Sequence, residues 1–164
     1  MKKITTILII LTAIFAACKE SSPVTVTTDP NDDIREAVFR YQFEHNESGL
    51  QQTANYYFIG LHNPGDSIFY RDLSDSFLSR FSGNIPPVKK VSQCDESFNG
   101  VFDKDTGERG LIFRIESITF QSDEEVEVRG GYFEGGLSAS GNIYTVKKVQ
   151  GVWQVTKDEL QWIS

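Results

Sequence analysis

Leu111-Ile-Phe-Arg-Ile-Glu-Ser-Ile-Thr-Phe120 is the stretch that decides the fold. Every second residue from Leu111 to Ile115 is apolar, as in a β-strand that buries one face. Ile118 and Phe120 continue this alternation with the opposite parity. A β-bulge produces such a change within one strand, so we expect a bulge at Glu116-Ser117. Because a bulge bends the strand that carries it, the sequence predicts a bent sheet.

From Val88 to its end the chain has the pattern of β structure. Further strands are predicted at 125–133 and 142–149, and Gln150-Gly151 has the composition of a two-residue hairpin turn. Charged residues stand between the apolar ones, which is typical of an antiparallel sheet with one face in water.

Helices are predicted ahead of most of these strands. The first begins at Asp29 as N-cap, and an apolar stripe from Ile34 to Tyr41 recurs at helical spacing. Phe39 and Phe43 fall on the opposite side, so we expect this helix to be covered on more than one face. An aromatic strand is predicted at 55–62, a turn at 63–66, and a short second helix after Ser74 as N-cap. The predicted fold class is α+β, with an N-terminal helix and a short second helix packed on a bent, mainly antiparallel sheet.

The beginning of the chain has the layout of a secretory signal. Lys2 and Lys3 precede twelve apolar or hydroxyl residues, Ile4–Phe15, and two alanines then lead to Cys18. As a helix, this stretch would span about 18 Å, well short of the ~30 Å hydrocarbon core of a bilayer. A permanent transmembrane helix is therefore not expected.

The cysteine directly after small residues resembles the lipobox of bacterial lipoproteins. This resemblance implies cleavage before Cys18 and lipidation of that residue. It divides the chain into a signal peptide (1–17), a lipidated cysteine with a flexible tether (18–30), and a single α+β domain (31–164). The implied location is the bacterial cell envelope, bound to a membrane through the lipid, and Lys19 at the next position favours the outer membrane. A plain secretory signal with an accidental Cys18 stays open.

The composition of the chain without its predicted signal peptide limits the classes of partner that it can bind. Removal of residues 1–17 leaves 147 residues with 14 Lys and Arg against 23 Asp and Glu, a charge of −9. An acidic protein repels nucleic acid, which we exclude as the main partner. Cys94 is the other cysteine of the chain, and we expect a reduced, packed thiol.

Three motifs are candidates for sites of chemistry. Gly136–Ser140 lacks the last glycine of a nucleophile elbow, and both histidines, His45 and His62, precede it. Asp103–Gly107 hints at a calcium loop, but the glycine and the closing glutamate that an EF-hand requires are missing, so we predict a polar hairpin turn. The two histidines and the cysteine have no metal-ligand spacing. No catalytic set of residues, metal or other cofactor is predicted.

Aromatic residues on the predicted strands are candidates for a pocket, with a packed core as the competing interpretation. The candidate pocket residues are Tyr57, His62, Tyr132, Glu134 and Trp153.

The ending Tyr144-x-Val…Gly-x-Trp-x-Val155 is similar to the terminal hairpin of NTF2-like and cystatin-like domains. The whole chain also resembles small envelope lipoproteins of bacteria, a resemblance that implies no activity. The function predicted first is a non-catalytic binding or accessory module for a small ligand or an envelope protein. The alternatives are an NTF2-like enzyme that uses His62, Asp66 or Glu134 as acid or base, and a purely structural lipoprotein.

Overall fold

The computed structural model describes residues 29–51, 53–62 and 70–164. The predicted signal peptide, Cys18, most of the tether and the predicted turn at 63–66 lie outside these ranges. Strands make up 54% of the described residues, so the fold is mostly β-sheet with a small helical part. The elements in chain order are α1 (Asp32–Glu44), β1 (Tyr56–His62), β2 (Tyr70–Arg71), α2 (Asp75–Leu78), β3 (Val88–Lys90), β4 (Cys94–Ser97), β5 (Gly100–Asp103), β6 (Arg109–Ser122), β7 (Glu125–Gly135), β8 (Ser138–Val149) and β9 (Val152–Ile163).

Within the described residues, the nine strands form one bent sheet. Its main order is β2-β1-β6-β7-β8-β9, with β3 beside β1 and the β4-β5 hairpin beside the start of β6. β1 runs parallel to both β3 and β6, whereas the other pairs are antiparallel. The sheet is therefore mixed, where the sequence predicted a mainly antiparallel one. Parallel neighbours need a long crossover, and the segment with α2 and β3 to β5 supplies it between β1 and β6.

The predicted bulge in β6 is confirmed. Pairing between β6 and β7 moves from Ile115 opposite Gly130 to Ser117 opposite Arg129, so Glu116 is the extra residue. The predicted turn at Gln150-Gly151 is confirmed as well. Both of its residues have positive φ, 52° and 83°, as a tight turn between twisted antiparallel strands requires.

The first half of β6 is buried on both faces. We call the side that packs against α1 and α2 the inner face, and Phe113 belongs to its apolar cluster. Ile112 belongs to a second cluster on the outer face, together with Phe58, Cys94 and Val101. The prediction of one wet face is wrong for this half, because the β4-β5 hairpin and the turn before it fold over the outer side.

The helix caps differ in how well the sequence predicted them. Ser74 is the N-cap of α2, as predicted, and its Oγ accepts a hydrogen bond from Phe77 N at 3.2 Å. The prediction of Asp29 as N-cap is wrong, since α1 begins at Asp32 with Asn31 as N-cap. The Asp29 carboxylate accepts from Asn31 N at 2.9 Å, so it closes a turn just before the helix.

One buried charge joins three strands. Arg114 of β6 is 7% exposed, and its guanidinium donates to Tyr132 O at 3.0 Å, Ser140 O at 2.9 Å and Glu116 Oε1 at 3.0 Å. The pairing of β7 with β8 is interrupted where the two carbonyls lie. The guanidinium therefore supplies hydrogen bonds that the ladder does not make there.

We expect Arg114→Lys to lower the free energy of unfolding by about 2 kcal/mol, because an ammonium cannot reproduce this fork of hydrogen bonds. Urea denaturation measures the change. Arg129→Lys is the matched control: this exposed arginine pairs with Glu127 at 3.3 Å, and its replacement should cost less than about 0.5 kcal/mol. Equal losses in the two variants would contradict the role of Arg114.

The Cys94 thiol is buried in the outer cluster and donates to Val91 O at 3.2 Å. Burial raises its pKa from 9.0 to about 12. An unperturbed thiol is half ionised at pH 9, whereas the native Cys94 thiol stays protonated there and should react slowly with a disulfide reagent. Labelling the Cys18→Ala variant at pH 9 with and without urea tests this, and fast reaction of the folded protein would show that the thiol is accessible.

Candidate functional site

A cleft of about 220 Å³ lies between the carboxyl end of α1 and the inner face of the sheet. Residues from α1, from the segment after it and from four strands line it: Gln42, His45, Asn46, Glu47, Phe113, Tyr132, Ser140, Asn142, Tyr144, Asp158 and Leu160. A second depression, between α1 and the β8-β9 hairpin, is more open and contains Trp153.

The cleft combines aromatic rings with a polar rim. Phe113, Tyr132 and Tyr144 belong to the inner apolar cluster and also line the cleft. On the rim, Asn142 accepts from Ser140 Oγ at 2.8 Å and donates to Asp158 Oδ1 at 2.7 Å. Mixed surfaces of this kind are typical of small-molecule sites, where rings provide contact area and a few polar groups orient the ligand.

Gln42 carries an unsatisfied oxygen. The side chain is 1% exposed, and its Nε2 donates to Arg114 O at 3.2 Å and to Tyr144 Oη at 3.3 Å. Its Oε1 is buried and has no hydrogen-bond partner. Turning the amide over would set Oε1 against the Arg114 carbonyl, two acceptors face to face, so the observed orientation is the favourable one. A buried acceptor without a donor costs about 1–3 kcal/mol.

The charge of the cleft is negative. Glu47 and Asp158 contribute carboxylates, and no lysine or arginine occurs among the described lining residues. Burial raises the pKa of Tyr144 well above its usual range, and burial together with Asp158 raises the pKa of Tyr41 beside it. Both phenols are therefore neutral at physiological pH, and His45 is the basic side chain among the described lining residues.

The structure distributes the five candidate pocket residues over several places. Tyr132 lines the cleft. Tyr57 packs in the core, with its ring centroid 5.0 Å from that of Phe113, and its hydroxyl donates to Gln51 O at 2.9 Å. His62 ends β1 opposite β2.

The other two candidates also have their own surroundings. Glu134 Oε2 accepts from Ser48 Oγ at 2.7 Å and from Ser138 Oγ at 2.9 Å, which ties the segment after α1 to the β7-β8 hairpin. Trp153 lies under the Lys148 ammonium at 5.7 Å, in the second depression. Of the five candidates, Tyr132 is among the described residues that line the cleft. Glu134, Trp153, Tyr57 and His62 are not among them.

The sequence reasoning missed Gln42, Asn142 and Asp158. For Gln42 a signal existed, because it stands in the middle of the buried face of α1, with Val38 and Phe43 to either side of it. A long polar residue at the centre of an apolar helix face is a buried polar group that needs partners. Asn142 and Asp158 gave no such signal, since polar residues are common on edge and outer strands.

The residues of the Asp103 loop form the predicted polar turn. Asp103 Oδ1 accepts from Thr106 N at 3.0 Å, and its Oδ2 accepts from Lys89 Nζ at 2.6 Å. Within 29–51, 53–62 and 70–164, no group of three or more His, Cys, Asp or Glu side chains is placed to hold a metal ion. No helix in the same ranges is long and apolar enough to cross a bilayer.

No protein-family model matches this chain, and comparison with curated proteins and with solved structures gives no match.

Proposed function

We propose that this protein is a membrane-anchored binding module of the bacterial cell envelope, with an α+β domain at 31–164 that holds a small ligand in the cleft beside Gln42. The single observation that carries the binding role is the cleft of about 220 Å³, lined by aromatic rings and carboxylates, with the buried Gln42 side chain in its wall. In such a cleft the rings provide contact area for a small ligand, and a few polar groups orient it.

The anchor is proposed from the order of segments along the chain. A basic start, a short apolar stretch, two alanines and Cys18 precede the domain. The segment 19–30 would have a span of about 20 Å as a flexible chain, enough to separate the domain from the headgroups. Two or more acyl chains hold a protein firmly to a membrane, whereas one chain binds marginally. The outer membrane is the favoured location because lysine follows Cys18.

An NTF2-like enzyme is the second candidate function, and the position of Asp158 in the cleft favours it. This carboxylate lines the cleft and could serve as an acid or base. His62 and Glu134, which the sequence suggested for that role, lie away from the cleft lining, and Glu134 is bound by two serine hydroxyls. Binding without catalysis agrees better with this arrangement, since Asp158 already accepts from Asn142.

We expect Cys18→Ala to move the protein from the membrane fraction to the soluble fraction, because the proposed lipid anchor requires that cysteine. Fractionation of the natural host followed by immunoblotting measures the change. Cys94→Ala, at the buried cysteine, is the control and should leave the protein in the membrane fraction. Membrane retention of the Cys18→Ala variant would contradict the anchor.

We expect the full chain, extracted gently from the natural host, to carry a reproducible extra mass in native mass spectrometry. Gln42→Leu should lose this mass, because it removes both the donor and the acceptor of the buried amide. Gln154→Leu, at an exposed position on β9, should keep it. A bare protein mass for the wild type would argue against the binding role and favour a structural one.

A further inference from the structure

One end of the sheet carries most of the exposed apolar side chains. Of the described residues, nine large hydrophobic side chains are exposed, and five of them lie at the end where β7 turns into β8 and β9 finishes. We call these five the apolar tip: Phe98, Leu137, Leu160, Trp162 and Ile163. Exposed apolar residues are ordinary when they are scattered singly, whereas a group of them indicates a contact surface.

Backbone contacts hold the apolar tip together. The turn between β4 and β5 lies against the turn between β7 and β8, since Gly136 N donates to Phe98 O at 2.9 Å. A Cβ on Gly136 would collide with the Phe98 ring, and Leu137 is the next residue. On the neighbouring strand, Ser164 N donates to Ala139 O at 3.0 Å, which sets the end of β9 beside the same turn. Residues that are distant in sequence therefore form one surface.

The segments that form the apolar tip contain no charged side chain. Asp, Glu, Lys and Arg make up 24% of the chain, but none occurs in the segments 97–102, 135–146 and 160–164. The opposite end of the sheet is acidic, because β6 turns into β7 through Asp123 and Glu124. The hydrocarbon of a bilayer excludes charged side chains, and tryptophan is enriched where a bilayer meets water. A lipid surface therefore matches the apolar tip and not the acidic end.

The chain between Cys18 and the domain is long enough to bring the apolar tip to a membrane. The tip lies at the carboxyl end of α1, because Ser48 and Ser138 both bond to Glu134 there. α1 has 13 residues, so its start lies about 20 Å away from this end. Fully extended, the ten residues 19–28 span up to about 35 Å. This length allows a lipid at Cys18 and the apolar tip to reach the same bilayer.

We propose that the apolar tip inserts into the interfacial layer of the bilayer to which Cys18 anchors the protein, with the acidic end of the sheet directed away from the lipid. This inference rests on the proposed anchor and adds to it a second lipid contact and an orientation. The anchor keeps the tip at a high effective concentration beside the bilayer, so a contact that is weak in free solution forms there. Leu160 belongs to both the tip and the cleft lining, so this orientation places the cleft beside the lipid surface.

The two tryptophans of the chain test the orientation, because they stand near opposite ends of β9. Trp153 pairs with Lys148 and Trp162 with Gly141, seven residues apart on β8, a distance of about 23 Å at the rise of a strand. The membrane-bound protein from the natural host is reconstituted in phosphatidylcholine vesicles with brominated acyl chains, which quench an indole that enters the bilayer. In Trp153→Phe, we expect Trp162 to lose fluorescence relative to vesicles without bromine. In Trp162→Phe, the matched variant, the fluorescence of Trp153 should stay unchanged.

A charge in the apolar tip distinguishes insertion from mere proximity to the membrane. In the Trp153→Phe background, Leu137→Asp places a carboxylate at a position that is 77% exposed, so the fold should tolerate it. We expect this variant to float with the vesicles but to lose the quenching of Trp162, because a carboxylate is costly to move out of water. Gln121→Asp adds the same charge at an exposed position near the acidic end of β6 and should keep the quenching.

The outcomes separate the orientation from the anchor. If the protein floats with the vesicles and Trp162 is not quenched, the orientation is overturned and the anchor stands; a tip that faces another protein would give this result. Quenching of Trp153 instead, or quenching of Trp162 that persists in Leu137→Asp, also overturns the insertion of the tip. Failure of the protein to float with the vesicles counts against the anchor and the orientation together.

Discussion

The guanidinium of Arg114 lies where the backbone of the sheet does not satisfy its own carbonyls. Pairing between β7 and β8 is interrupted there, and the side chain bonds to Tyr132 O and Ser140 O. Burying a cation costs several kcal/mol, and the hydrogen bonds to the carbonyls and to Glu116 offset that cost. The main-chain carbonyl of the same residue accepts from Gln42, so α1 and three strands meet at one position.

Two glycines on β7 allow this junction to close. A Cβ on Gly130 would collide with Arg114 O, and a Cβ on Gly131 would collide with Ser140 O. Glycine lets the backbone of one strand approach the polar groups of its neighbours. This approach lets the Gln42 amide lie against the sheet, where its Nε2 is bonded and its Oε1 is buried without a partner.

The position of the cleft depends on the bend of the sheet and on the place where α1 ends. β6 changes face at its bulge, so its first half carries the core and its second half extends into water. α1 ends at Glu44, and the segment after it turns back to bond Glu134 through Ser48. The space left beside this returning segment is the cleft, which is lined by carboxylates and aromatic rings. In the proposed arrangement, a lipid at Cys18 and a tether present this negatively charged cleft to the envelope.

Local features of this protein could be predicted from the sequence. The bulge at Glu116, the turn at Gln150-Gly151 and the cap at Ser74 each depend on a few adjacent residues, and each is confirmed. The polar turn at Asp103 also depended only on local spacing, and Asp103 accepts a hydrogen bond from Thr106 within it. By contrast, the α1 cap lies at Asn31, two positions after the predicted Asp29, because two nearby polar residues are both suited to that position.

Only the tertiary structure decided which strands are neighbours and what the cleft contains. The parallel pairing of β1 with β6 depends on how a long crossover packs, and no short pattern encodes it. Gln42, Asn142 and Asp158 are far apart in sequence and meet because the sheet bends under α1. Each bulge also exchanges the faces of all residues beyond it, so face assignments made strand by strand do not extend across the sheet. The candidate pocket residues were chosen by residue type on single strands, and that choice could not locate a cavity formed by pairing between distant ones.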